Sequence, residues 1–141
     1  MDIEYRQADP LDEGDLFELA AGLATSYTLN KEDFSKTFEK LLNDPSVDLV
    51  VAKMDSKPIG YVLAFHHPTF YANGVVSWVE EIYVLEQFRG LNIGKRLMQI
   101  VEEKADCRES RLVALATRRA GGFYSAIGYS ESASYFKKEL R

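Results

Sequence analysis

The sequence predicts an α/β fold: a mixed central sheet with helices on both faces, in the order β-α-α-β-β-β-α-β-α-β. Three observations carry that prediction. Apolar residues switch along the chain between the runs and alternation of strands and the three- and four-residue intervals of amphipathic helices. A glycine-containing turn joins an apolar strand to the longest of those helical stripes. The chain has 141 residues, 46% hydrophobic and 12% aromatic, which is the length of one domain with enough apolar surface to bury a core. No repeat, low-complexity tract or linker divides it, so 1–141 is expected to be a single domain.

Ile3 and Tyr5 alternate with polar neighbours as in a short strand. Pro10 to Asp15 supplies helix-start chemistry, and Leu16, Leu19, Ala20 and Leu23 follow at helical spacing. A second helix is predicted from Asn30 as its cap, with Asp33 in the first turn, a stripe of Phe34, Phe38, Leu41 and Leu42, and Pro45 as its stop. Leu49 to Ala52 and Ile59 to Phe65 are apolar runs around the turn residues Asp55 to Pro58, which makes a hairpin. A loop from His67 to Gly74 leads to a third strand, Val75 to Leu85, rich in β-branched and aromatic residues. After the turn, Leu97, Met98, Ile100, Val101 and Ala105 mark the long helix. Leu112 to Ala116 reads as a buried strand, Arg119 to Ile127 as a short helix ending at Gly128, and Tyr129 to Lys138 as a last strand.

Composition excludes several classes. Seventeen Lys and Arg against 22 Asp and Glu give a net charge of −5, the wrong sign for a protein whose main partner is nucleic acid. Cys107 is the only cysteine, so neither a disulfide, a cysteine zinc knuckle nor a CxxC redox pair can form within the chain; a partly buried, inert thiol and a cytoplasmic location fit. His66 and His67 diverge if they lie on a strand, and no metal site is expected. The N-terminal residues lack a signal peptide's basic start and apolar stretch, and no apolar run is long enough to span a membrane.

The turn from Arg89 to Lys95 has the parts of an anion site: a strand exit, Arg89, Gly90, Gly94, Lys95 and then a helix N-terminus whose free N–H groups attract phosphate. It matches neither the phosphate loop of nucleoside-triphosphate enzymes nor the dinucleotide fingerprint. Taken with its preceding strand, however, Glu80 to Leu97 resembles the acyl-CoA-binding motif of the GNAT superfamily of N-acetyltransferases, written Arg/Gln-x-x-Gly-x-Gly/Ala. Arg89, Asn92 and Gly94 fall on its fixed positions, with Asn92 in place of the usual glycine. Asn is the residue besides glycine that best tolerates left-handed backbone geometry. Further on, Ala120 to Tyr129 resembles the later family motif Ala-x-x-Phe-Tyr-x-x-x-Gly-Phe/Tyr at every fixed position. The two motifs stand in the family's order, and the element order matches the family fold over essentially the whole chain.

That resemblance implies an acetyl-CoA-dependent N-acetyltransferase acting on a primary amine of a small molecule or protein, by direct attack and without a metal. Backbone groups of Tyr83, Val84 and Leu85 would bind the pantetheine arm. Arg89, Gly90, Leu91, Asn92, Ile93, Gly94 and Lys95 would cradle the pyrophosphate, and Thr117 stands where many relatives carry a cofactor-contacting Asn. Tyr124 matches the tyrosine that protonates the leaving thiolate, with Phe123 expected in the core. Glu80 and Glu81 are adjacent in a strand, so alternation puts one of them toward the acceptor, to take a proton or hold a cationic amine. Acidic pairs here resemble those of polyamine and diamine acetyltransferases. A non-catalytic acyl-CoA sensor is the alternative, and retention of Tyr124 with the glutamate pair favours the enzyme. Tyr135 and Phe136 offer a face that a second copy would bury in a homodimer.

Overall fold

The computed structural model describes residues 2–141. Strand β1 (Ile3–Gln7) runs into a 3₁₀ turn at Pro10–Asp12 and helix α1 (Glu13–Leu23); α2 is Lys31–Leu42. Strands β2 (Val47–Met54), β3 (Lys57–Thr69) and β4 (Gly74–Val84) follow, then helix α3 (Ile93–Cys107), strand β5 (Leu112–Leu115) and helix α4 (Gly121–Ala126). The sheet order is β1-β2-β3-β4-β5, antiparallel except for the parallel β4–β5 pair that the α3 crossover requires.

Local chemistry sets the turns. Asp55 and Ser56 both take positive φ (50° and 67°), the geometry that matches the twist of a two-residue hairpin, so β2 and β3 meet without a loop. Asn30 caps α2 by accepting the Asp33 N–H at 2.9 Å. Before α1, Asp9 and Asp12 cap each other's backbone, and Arg6 grips the buried Asp12 carboxylate through two nitrogens, at 2.7 and 2.9 Å.

Two apolar layers lie on the two faces of the sheet. Against α3 and α4 pack Val50, Ala52, Val62, Ala64 and Val79, with Ile93, Leu97, Met98 and Val101 supplied at helical spacing. Against α1 and α2 pack Val47, Leu49, Val51, Tyr61 and Leu63, with Leu16, Leu19 and Phe38. Each fully sealed aliphatic side chain contributes roughly 1.5–3 kcal/mol of burial free energy. Beneath the C-terminal end of α3, a buried polar chain ties three strands together. Asp48 meets His66 Nε2 at 2.7 Å, and His66 Nδ1 meets Ser77 Oγ at 2.7 Å. Burial pushes the imidazole below its ordinary pKa, which the Asp48 bond only partly offsets.

The structure corrects four sequence expectations. The expected His67–Gly74 loop shrinks to a tight turn, because His67, Pro68 and Thr69 continue β3 opposite Val76, Val75 and Gly74. Pro68 is tolerated there because β2 has already stopped pairing at Phe65, so no neighbour needs its missing N–H. The last predicted strand, Tyr129–Lys138, does not form: residues 130–141 are exposed and belong to no ladder. With no strand beyond it, β5 is only half-buried rather than sealed. Cys107 is exposed rather than partly buried. Among the described residues no helix is long and apolar enough to cross a membrane.

Candidate active site

The β4–β5 pairing ends at Val79–Leu115, while β4 continues for five more residues beside β3 alone. One edge of Glu80–Val84 is therefore open, and the sheet splits there. The ladder decides which backbone groups face the split. Leu85 N–H donates to Ile59 O at 2.9 Å, so in an antiparallel pair Leu85, Tyr83 and Glu81 turn their groups toward β3, and Ile82 and Val84 turn theirs outward. The Leu85 carbonyl is also taken, by Phe88 N–H at 2.9 Å. Of Tyr83, Val84 and Leu85, only Val84 thus presents backbone to the open edge, and there only its N–H, since its carbonyl accepts from Arg89 Nε. Ile82 joins it, a position that regular counting along the sequence passes over.

The same strand carries a β-bulge. Leu63 pairs with Glu81 and Ala64 with Val79, which leaves Glu80 without a partner. The extra residue resets the alternation: Val79 and Ile82, three apart, both pack on the α3 face. Glu80 and Glu81 consequently both project on the α1–α2 face, against the expectation that they would diverge. Glu81 Oε1 accepts a hydrogen bond from the buried Tyr61 hydroxyl at 2.6 Å, and Glu80 Oε2 lies 3.4 Å from Trp78 Nε1. Glu80 is exposed and Glu81 half-buried.

At the end of β4 the chain turns into α3 through two left-handed residues, Gly90 (φ 83°) and Asn92 (φ 63°). Asn92 holds the geometry that glycine would take, as its low αL cost allows. No side chain caps α3, and the first helical bond runs from Arg96 N–H to the Asn92 carbonyl at 3.0 Å. The N–H groups of Ile93, Gly94 and Lys95 are left pointing out of the helix, together with its positive dipole end. Ile93 buries its side chain, so only its backbone serves this surface. Gly90 faces open space, with no atom within 4 Å of where a Cβ would stand, and Lys95 is exposed beside it, as is Leu91. Arg89 bends back over the Tyr83 ring (5.6 Å) and donates from Nε to the Val84 carbonyl at 3.0 Å, bracing the loop against β4.

Helix α4 closes the other side. Tyr124 is buried in the α3-side layer, edge-on to Phe123 (5.0 Å) and Tyr129 (6.0 Å). Its hydroxyl makes no hydrogen bond among the described residues and is not sealed from solvent. Burial raises its pKa, so the phenol keeps its proton. Phe123 is exposed rather than in the core; its ring reaches over Gly94, 3.6 Å from where a Cβ would stand, and links α4 to the start of α3. The Thr117 hydroxyl oxygen accepts from Ala120 N–H at 3.2 Å, turning the chain into α4 and leaving its own proton free to donate. The arrangement sets a protonated phenol on one face of the split, two carboxylates on the other, and a line of backbone N–H groups at its end.

Comparison with known proteins defines the class. The acetyltransferase (GNAT) family model matches residues 15–129. The aminoalkylphosphonate N-acetyltransferase of Salmonella typhimurium is 30% identical over 144 residues, covering 97% of this chain and 91% of its own. Among solved structures, glucosamine-6-phosphate N-acetyltransferase from Arabidopsis thaliana has the same fold, with a TM-score of 0.89 at 20% identity, covering 100% of each chain. An aminoglycoside N-acetyltransferase in complex with CoA superimposes with a TM-score of 0.86 at 20% identity, covering 99% of this chain and 95% of its own. The chain belongs to the GNAT acetyltransferase family, and is an N-acetyltransferase with acetyl-CoA as co-substrate.

Proposed function

We propose that the split between β4 and β5 is where acetyl-CoA meets a primary amine, with Glu81 as the base and Tyr124 as the acid. The pantetheine arm lies along the open edge of β4, where Ile82 and Val84 supply backbone groups, and the pyrophosphate sits on the N–H groups of Ile93, Gly94 and Lys95, in the loop from Arg89 through Gly90, Leu91 and Asn92. Thr117 donates its free proton from the α4 side. The amine nitrogen attacks the thioester carbonyl directly; the C–N bond forms and the C–S bond breaks. Glu81 takes one proton from the bound ammonium on the α1–α2 face, which frees the nitrogen lone pair for attack; Tyr124 gives its proton to the departing thiolate from the other face and regains one through solvent as the amide nitrogen sheds its second proton. Glu80, exposed beside Glu81, attracts the cationic form of the amine by charge.

The observation that carries this proposal is the β-bulge, which puts both carboxylates on one face just where β4 loses its second neighbour. The acceptor is a small molecule or a protein amine, and the name of the Salmonella relative makes aminoalkylphosphonates the first compounds to try. The chain works as one domain, and the single exposed thiol suits the cytoplasm. Exposed Tyr135, Phe136 and Leu140 on a tail outside any ladder support a homodimer, which light scattering would detect. The division of labour between the glutamates is tested by initial rates on the best acceptor of a panel of primary amines. Glu81→Gln should lower kcat by about 10²–10⁴-fold, whereas Glu80→Gln should raise the acceptor KM and spare kcat; equal and negligible effects of both would make the pair a solvated surface feature.

A further inference from the structure

Tyr61 lies on β3, buried to 2% exposure in the α1–α2 layer among Val51, Leu63, Leu16 and Leu19. A phenol placed there must find a partner for its hydroxyl, since an unpaired buried O–H is costly. The register puts Tyr61 opposite Tyr83 and Leu63 opposite Glu81, so Tyr61 and Glu81 are diagonal neighbours on one face. The hydroxyl reaches Glu81 Oε1 at 2.6 Å, while Oε2 makes no hydrogen bond among the described residues. An ionised carboxylate only accepts, so the tyrosine is the donor. Burial and the adjacent carboxylate hold the phenol far above its ordinary pKa, so it donates at every working pH.

We propose that Tyr61 is a positioning residue for acetyl transfer: its hydroxyl fixes the Glu81 carboxylate through one oxygen and leaves the other to take the amine proton. The bulge makes such a tether necessary. Glu81 follows an unpaired residue in a locally bent strand with one open edge, and it has three side-chain torsions of its own. A bond from a ring locked in the core removes that freedom before the amine arrives. The proposal rests on the base role given above to Glu81.

The test uses the full chain, acetyl-CoA and the best acceptor of a primary-amine panel that includes 2-aminoethylphosphonate and 1,4-diaminobutane. Tyr61→Phe should lower kcat by about 10- to 100-fold, the usual effect of misplacing a reacting group by about 1 Å, with acetyl-CoA KM unchanged. The acceptor KM should also hold within about twofold, so that the loss falls on kcat alone. In a Glu81→Gln background the same change should cost less than about twofold, since the two act as a unit. Should Tyr61→Phe fail to fold, 4-fluorophenylalanine at position 61 fills the hydroxyl's space without a donor and should show the same loss of kcat. A full-rate Tyr61→Phe or 4-fluorophenylalanine enzyme, or an equal loss in the Glu81→Gln background, would reduce Tyr61 to packing. A fully active Glu81→Gln enzyme would instead overturn the base role, and an enzyme that acetylates no amine of the panel would overturn both.

Discussion

Replacing Tyr124 by Phe separates chemistry from packing more cleanly than any other single change in this fold. The substitution deletes one oxygen and keeps a ring that packs edge-on against Phe123 and Tyr129. Because the hydroxyl has no hydrogen-bond partner among the described residues, its loss orphans no other group, and stability should change by no more than about 0.5 kcal/mol. Acetyl-CoA affinity should hold as well, since the backbone groups assigned to the cofactor lie on β4 and α3. A general acid contributes about 10²–10⁴-fold, or about 2.7–5.4 kcal/mol of barrier at 1.36 kcal/mol per decade. Chemistry should thus lose several kcal/mol where folding loses almost none. The assay is single-turnover acetyl transfer with enzyme in excess, followed by thiol release, so that product release cannot mask the step. A Tyr124→Phe enzyme with the wild-type single-turnover rate would refute the acid role and leave Tyr124 as a core aromatic.

Three further outcomes follow from the same geometry. Arg6 holds the buried Asp12 carboxylate well below the usual range, so its stabilisation is complete above the unfolded pKa of about 4 and fades as pH falls further; the melting temperature should be insensitive to this pair above pH ~5. Asp12→Asn should flatten the acid slope and cost about 2–4 kcal/mol at neutral pH, since Arg6 stays partly hydrated, and an unchanged urea midpoint would contradict this. A Cβ on Gly94 would meet only the Phe123 ring, at ordinary contact distance, so Gly94→Val should keep the fold while acetyl-CoA ceases to raise the melting temperature; a preserved thermal shift would show that the loop is only a turn. Gly60→Ala would press a Cβ to within 2.8 Å of the Tyr83 carbonyl. It should cost about 1–3 kcal/mol in a denaturant titration, and a neutral effect would mean that β3 and β4 can separate there freely.

Much of this site was legible in the sequence because its signals are local. The stripe from Ile93 to Ala105 announces a helix with one buried face, and the left-handed turn before it follows from the residues at 90 and 92. The phase of β4 is not local. Whether Glu80 is an extra residue depends on which β3 residues pair with Val79 and Glu81, and the only trace in the sequence is the pair of apolar residues, Val79 and Ile82, three apart. That one unpaired residue moved both glutamates to a single face and transferred the outward backbone to Ile82 and Val84. Tyr61 was invisible for a different reason: within Ile59–Phe65 it reads as one more core aromatic, and its hydroxyl acquires meaning only across the strand pair. The failed terminal strand shows the converse, since Tyr135 and Phe136 have strand propensity without a neighbour to realise it. Leu115 and Cys107 lost their expected burial with that missing cover or at a helix end open to solvent.

This cleft transfers acetyl to an amine rather than merely holding the thioester. Mass spectrometry of the amine panel after incubation with the protein and acetyl-CoA labelled with ¹³C in the acetyl group tests it most directly. At least one primary amine should gain the labelled acetyl group, with an equal amount of free CoA released and almost none formed when amine is withheld. Calorimetric binding of acetyl-CoA with no labelled amide from any amine would contradict transfer and leave the chain as a binding module.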